Sequence, residues 1–267
     1  MAITTLDGAI AGMKPIELYS KALSGTLVAG RAFSPFYLAG IPGAAVAPTP
    51  GVAGAALTAY SGQIPIPAAS GNTHLARASF VSSAQAGVVL ICDRLWHNSG
   101  IVVTTTTAQT INSVAWPARD KNGATLGHGV YIGLEISTAT GAGASVISIS
   151  YTNQDGTAGK TGTATPLYAA SSIAGSFYRF NLAAGDTGVR SIQTYTSTVS
   201  MTSGVVHLVA YRVLASIELP AAGIAGVIDP VTGGLGREYD TTVPFPIFIP
   251  QTTTTTQLTG SVIHTQG

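Results

Sequence analysis

The 267-residue chain has one cysteine, Cys92, which excludes an intramolecular disulfide framework and suits a reducing compartment. Charge is scarce as well. Asp, Glu, Lys and Arg make up 9% of residues, against roughly a quarter in ordinary soluble domains. The 12 basic and 11 acidic residues nearly cancel, giving a net charge of +1. That balance excludes nucleic acid as the main partner, because phosphate binding needs a basic excess. The longest apolar stretch, Leu27 to Ala47, is broken by Arg31, Pro35 and Pro42, so no membrane-spanning helix is expected and no membrane partner. The first residues, MAITTLDGAIAGMK, lack the basic region and apolar core of a signal peptide. His74, His97, His128, His207 and His264 have neither the short spacing of a metal pair nor an accompanying Cys-x-x-Cys. No metal and no cofactor are expected.

What the chain does have is 46% hydrophobic residues and 32 glycines, with abundant Ala, Thr and Ser. A surface this poor in charge fits a protein covered by copies of itself or by partners, since interface cores are depleted in charge. A neutral surface of Thr, Ser, Asn and Gln is the alternative. At this length the chain can bury a sizeable core without disulfides or metal.

Read in order, residues 1–24 carry the one helix signal. Thr4 or Thr5 can cap it, and Leu6, Ile10 and Met13 share a face at helical spacing. Ile16 to Leu23 continues the helix or forms a first strand. Residues 25–75 are rich in Gly, Ala and Pro, which excludes a central strand or helix interior. They are too apolar for a solvated linker, so an extended arm lying on its own domain or on a neighbour is expected. From about residue 78 the pattern is β. Strands are predicted over 88–96, 101–107, 130–138, 145–152, 159–165, 176–182, 189–199 and 205–219. Strand 130–138 alternates cleanly, with Val130, Ile132, Leu134 and Ile136 on one face and Tyr131, Gly133, Glu135 and Ser137 on the other. It is expected to pair with 145–152 as a hairpin. About eight strands separated by turns predict an all-β, jelly-roll-like antiparallel β-sandwich. Residues 220–267 lose the pattern and read as a second extended apolar arm, with Pro244, Pro246 and Pro250 among Phe245, Ile247, Phe248 and Ile249. The expected organisation is helix and arm over 1–76, sandwich core over 77–219 and arm over 220–267.

The chemistry-bearing residues do not assemble into a site. Gly156–Thr161 (GTAGKT) looks like the end of a phosphate-binding loop, but Gln154 stands where its first glycine belongs and no helix follows. Asp93, His97 and Ser99 are too close in sequence to converge as a triad from separate elements. Cys92 reads as a small buried hydrophobe. His207, between Val205 and Val209, reads as a satisfied core or interface histidine. Asp186 and Asp229 sit in glycine-rich turns without the second carboxylate of a calcium loop. Trp96, Trp116 and Tyr131 are core aromatics or, alternatively, a sugar-stacking platform. An enzyme is not expected, since acid, base and nucleophile do not converge.

The phrases LWHNSGI, SYTNQDGTAG and AAGDTGVRSIQ, within residues 85–215, give the chain a family likeness. The region resembles virion structural proteins of tailed bacteriophages, more the capsid-associated decoration or cement proteins and minor capsid proteins than major capsid proteins. The long helix of the common tailed-phage shell fold is not evident. The resemblance implies a non-enzymatic particle component made in the host bacterial cytoplasm and located in the virion. Its implied partners are the major capsid protein and copies of itself, as a homo-oligomer. A neck, tail or fibre component, and a carbohydrate-binding sandwich, are the alternatives. Partner contacts are expected on the arms, at Phe33, Phe36, Tyr37, Ile64, Ile66, Phe245, Ile247, Phe248 and Ile249.

Overall fold

A computed structural model describes residues 3, 5–68, 72–233 and 236–267. A short helix, α1 (Leu6–Ala11), precedes β1 (Glu17–Leu23). A single 3-10 turn, Pro35–Tyr37, separates β1 from β2 (Gly40–Ile41) and β3 (Ala55–Ala56). There follow β4 (Thr73–Ser82), β5 (Gly87–His97), β6 (Gln109–Thr110), β7 (Val130–Thr138), β8 (Ile147–Asn153), β9 (Lys160–Thr165), β10 (Phe177–Asn181), β11 (Val189–Ser197) and β12 (Val205–Leu219). The chain closes with β13 (Gly226–Ile228), β14 (Gly236–Glu238), β15 (Pro244–Pro250) and β16 (Thr256–Gln266). The protein is all-β and antiparallel with a short N-terminal helix, as the alternation demands, and its architecture is consistent with a sandwich. Two compact units form: unit 1 from Met1–Val46, Thr58–Asp93 and Val213–Gly267, and unit 2 from Ala47–Leu57 and Arg94–Arg212.

Unit 1 contains a sheet in the order β13-β4-β16-β1-β2, with β14 also on β4. Its inward face carries Tyr19, Leu23, Ala78, Phe80, Leu258 and Val262, all buried. Gly260 lies under the ring of Phe80, which a Cβ would meet at 2.7 Å. Residues 220–267, expected to be an unpatterned arm, instead supply β13 to β16. The threonine-rich run before β16 hides a strand whose inward positions alternate at Thr256, Leu258, Gly260, Val262, His264 and Gln266.

β15 shows why its prolines misled. It pairs antiparallel with residues 87–93 of β5, with Phe245 opposite Cys92 and Ile247 opposite Leu90. N–H groups alternate in direction along a strand. The even positions face away from β5: Phe248 N–H donates to the Phe33 carbonyl at 2.8 Å. The carbonyls of Pro244, Phe248 and Pro250 accept from Ile64, Phe33 and Gly30 on that same side. All three prolines occupy even positions, so the N–H each lacks is one that the β5 ladder never uses. A strand that reads as broken is thereby fully paired on one edge.

Unit 2 contains the order β5-β12-β7-β10-β9-β8-β11-β6, with residues 94–97 of β5 and 205–212 of β12, and with β3 on β5. Its inward side chains, among them Ile132, Leu134, Ile149, Tyr178, Phe180, Ile192, Leu208 and Trp96, form one core. Strands β7 and β12 have the predicted bounds. The predicted pairing of β7 with β8 is not made: β7 pairs with β10 and β12, and β8 with β9 and β11. The intervening loop has another task. Gly141 N–H donates to the Met201 carbonyl, and a Cβ on Gly143 would stand 1.7 Å from the Ser200 carbonyl oxygen. The glycines serve this close approach and not a tight hairpin turn. Residues 101–107 are also not a strand. The side-chain amide of Gln109 bonds both the N–H and the carbonyl of Val102, at 2.8 and 3.0 Å, and so takes the place of a neighbouring strand.

The alternation in β15 makes a parity prediction. Replacing Pro246 with Ala restores an N–H on the unused side and should leave the melting temperature nearly unchanged. Ile247→Pro removes a donor facing β5 and should cost about 2 kcal/mol or more, seen as a lowered urea midpoint. Equal effects of the two substitutions would refute the assignment.

Candidate functional site

Three groups of residues compete as the working part of the molecule: the expected partner contacts, a buried polar cluster, and the surfaces left uncovered. The expected contacts have occupations within unit 1. Phe33, Phe36, Ile64, Phe245, Ile247 and Phe248 are buried, with Phe36 and Phe245 rings edge-on at 5.6 Å. Tyr37, Ile66 and Ile249 are half-buried. Lys21 lies beneath the same arm. Its ammonium donates to the carbonyls of Phe36 and Gly43 at 3.2 and 3.3 Å, and burial lowers its pKa to about 8. The unit 1 parts of the arm, residues 25–46 and 58–68, are thus held within that unit through a buried cation and main-chain bonds.

The polar cluster belongs to unit 2. Alternation puts Glu135 on the face of β7 away from the core, directly opposite His207 of β12. That face is closed to solvent here: Glu135 and Arg94 are fully buried, 2.7 Å apart. Arg94 also donates from Nε to His97 Nδ1 at 3.3 Å. His207 bonds the Asn98 carbonyl through Nδ1 and the Ser137 hydroxyl through Nε2, each at 2.8 Å. Asn98 in turn accepts from the Leu208 N–H at 2.7 Å and donates to the Val52 carbonyl. His207 is therefore the satisfied core histidine that its neighbours suggest. Burial, with Arg94 and His207 nearby, pushes the His97 pKa down to about 2. Burial likewise holds His207 low, against the opposing pull of the Asn98 carbonyl and Glu135.

The remaining sequence candidates separate. Asp93 accepts from the Val243 N–H, and Ser99 accepts from the Gly51 N–H. Cys92 is buried and free of disulfide. Lys160 opens β9, a strand where a phosphate loop needs a helix. Asp229 closes its own turn by accepting from Val231 and Thr232. Trp96 and Trp116 face each other at 5.3 Å inside the core, their indole N–H groups donating to the Ala53 and Val189 carbonyls. They offer no face to a sugar. Among the described residues no cluster of three or more His, Cys, Asp or Glu has metal-binding geometry.

What stays uncovered is more informative. The outward face of the unit 1 sheet presents Leu18, Ser20, Ile41, Ser79, Val81, Val227, Thr259, Ser261 and Ile263. Leu18 is 59% exposed and Ile41 54%. Among the described residues of this face, charge lies toward one end, at Arg77 and Arg237. The helix adds to it in kind. Thr5 caps α1 by accepting from the Gly8 N–H, while Thr4 lies outside the described residues. Leu6, Ile10 and Met13, the stripe that predicts the helix, point outward, and it is Ala9 that is buried. Sequence reasoning missed this surface because it looked for partner contacts in the most apolar segments, which are the ones a core consumes first.

Comparison with known proteins adds little. No family model matches the chain, and no curated protein matches it. Among solved structures it is similar to infectious bursal disease virus, Gt strain, at 11% identity with a TM-score of 0.21, covering 95% of this chain and 82% of that one. The VP2 subviral particle of the same virus follows at 10% identity and a TM-score of 0.19, covering 96% and 82%. Its T=1 particles give 9% identity and 0.17, covering 96% and 79%. TM-scores this low do not establish a shared fold.

The buried cluster yields two predictions. Removing one member of the Arg94–Glu135 pair leaves the other charge stranded, so Arg94→Met alone should cost about 3–5 kcal/mol. Arg94→Met with Glu135→Leu should recover much of that loss in a double-mutant cycle by urea unfolding. The histidines set an acid limit. Their folded pKa values lie below the unfolded value of about 6.5, so only the unfolded state binds these protons as pH falls. Their contribution is whole above about pH 6.5 and is lost on acidification. Between pH 7 and 5 the stability should drop with a slope approaching about 1.4 kcal/mol per pH unit for each imidazole held neutral. A flat profile over that range would contradict the burial of His97 and His207.

Proposed function

We propose that the protein is a non-enzymatic structural component of a tailed-bacteriophage particle, binding and stabilising the capsid lattice as a decoration or cement protein. The observation that carries this reading is the nearly uncharged outward face of the unit 1 sheet together with the outward apolar stripe of α1. A free monomer rarely leaves so many aliphatic side chains contiguous and uncovered. The partners are the major capsid protein and further copies of this chain, and the location is the virion. Low overall charge supports the same reading, because it removes the desolvation cost that buried charges bring to an interface. The likeness of residues 85–215 to virion structural proteins supports it independently of the surface. A lattice multiplies modest contacts, so each copy needs no exceptional affinity.

The test is sedimentation of purified protein with phage shells, followed by imaging of the decorated particle. Saturable binding at a fixed ratio to the major capsid protein is expected. Leu18→Asp with Ile41→Asp should abolish binding while leaving the melting temperature within a few degrees, since both side chains are exposed. A neck, tail or fibre component would instead appear at a few copies per particle. Failure to associate with any particle part would overturn the proposal.

A further inference from the structure

The outer face of the unit 2 sheet carries a row of aromatic side chains that ends in a cation. Gly133 has no side chain, and the ring of Phe177 fills its place; a Cβ there would meet that ring at 2.1 Å. Phe177 stands edge-on to Tyr211 at 5.4 Å, and Tyr211 lies 6.0 Å from Tyr131. Phe177 and Tyr211 are buried, Tyr131 is half-buried, and Arg179 is exposed. The Arg179 guanidinium sits 4.0 Å above the Tyr131 ring. Among the described residues this ring is its one partner, so all five of its N–H donors remain available. The stacked ring fixes the position of a side chain that would otherwise lose rotamer entropy on binding.

Beneath Arg179 opens a cleft of about 480 Å³, lined by Tyr131, Arg179, Asn181, Leu182, Asp186 and Thr187. Asp186 does not make it acidic. Its carboxylate accepts from the Tyr151 hydroxyl at 2.6 Å and the Asn153 amide at 2.7 Å, with the Lys160 ammonium at 4.0 Å. Burial raises its pKa, but those donors outweigh it and the net shift is downward. The Asp186 and Lys160 charges offset each other, which leaves Arg179 to set the sign of the cleft. The hydroxyls of Tyr131 and Thr187 and the amide oxygen of Asn181 add uncharged donors and acceptors around it.

We propose that this cleft binds a carboxylated saccharide, such as a uronic or sialic acid residue of a surface polysaccharide. The carboxylate pairs with the guanidinium of Arg179 through two parallel hydrogen bonds, a geometry that an arginine fork matches. The sugar hydroxyls then meet Asn181, Thr187 and Asp186. A neutral sugar is a poorer fit, because Arg179 already covers the Tyr131 face on which it would stack. The volume suits one or two sugar rings. This site is independent of the capsid-binding role.

Binding is read by NMR titration of the intact protein with N-acetylneuraminate, galacturonate oligomers, glucose oligomers, acetate and inorganic phosphate. Saturable binding of either acidic saccharide, at least about tenfold tighter than glucose oligomers or acetate, is expected, from the strength of a bidentate charge-assisted pair. Arg179→Gln should weaken it at least about tenfold, and Arg179→Lys should also weaken it by losing the fork. Arg77→Gln, on the other unit, should change nothing. Arg179 is exposed, so its variants should melt as the parent does. Phosphate binding as tightly as the saccharides would overturn the sugar assignment, as would acetate doing so. Acidic-saccharide binding that survives Arg179→Gln would overturn the site, and no saturable binding would overturn both.

Discussion

Strand β16 enters the unit 1 sheet between β4 and β1, pairing Leu258 with Ser82 on one edge and with Lys21 on the other. The strand on one side begins at residue 73, that on the other at residue 17, and β16 itself ends at residue 266. No local hairpin can nucleate such a sheet. The ladders that β16 makes with β1 and β4 form only after residues 256–266, and with them the insertion that makes unit 2, have been synthesised. Long loops must be closed before those contacts return any free energy, which slows folding. The rest of unit 1 is arranged around that strand. Thr265 donates to the Ala9 carbonyl and holds the helix. Thr256 bonds Ser82 and the Ala84 N–H, fixing the turn between β4 and β5.

A chain with so little charge relies on neutral hydrogen bonds, and two of the charged side chains it buries, Arg119 and Asp120, are each held by more than one group. Arg119 donates to the Leu57 and Arg94 carbonyls. Asp120 accepts from four backbone N–H groups, of Asn122, Ala124, Gly127 and His128, and so organises its loop. Glu238 and His264 meet at 2.7 Å in the interior of unit 1. Isolated, any of these would be costly to desolvate. Their stability contribution is modest, but their directionality selects one register among the many that a Thr-, Ser- and Val-rich strand allows.

The sequence showed strands where a side chain alternates in kind, as in β7 and β12, because burial on one face leaves a period of two. It concealed strands whose inward positions are held by small or polar residues. In β16, Gly260, His264 and Gln266 take inward positions, so the hydrophobic alternation fades, and a register shift between Ile263 and His264 blurs it further. In β15 the proline content argued against a strand, and only the direction of each N–H resolves the conflict. Strand neighbours were less visible than strands, since β7 and β8 follow each other in sequence yet take different partners. Of the surfaces, neither was read in advance. The motif FYRFN contains the signal for the cleft: alternation sends Tyr178 and Phe180 inward and puts Phe177, Arg179 and Asn181 together on the outer face. Its link to Tyr131 depends on the pairing of Arg179 with Gly133, which no local pattern encodes.

The same economy explains why the two exposed surfaces differ in chemistry. On the unit 1 face, short hydroxyl side chains and aliphatic ones alternate with almost no charge. Such a face loses little on dehydration and gains area, which suits a permanent contact with another protein surface. On the unit 2 face, Phe177 and Tyr211 are buried, and the aromatic row reaches solvent at Tyr131 and the guanidinium above it. A fixed, hydrated cation is wasteful at a permanent apolar contact, where its desolvation would go uncompensated, and well suited to a small anionic ligand that supplies the missing acceptors. Arg179 therefore marks a different kind of surface from the one that carries Leu18 and Ile41. A substitution that blunts one should leave the other intact, because the two draw on different residues in different units.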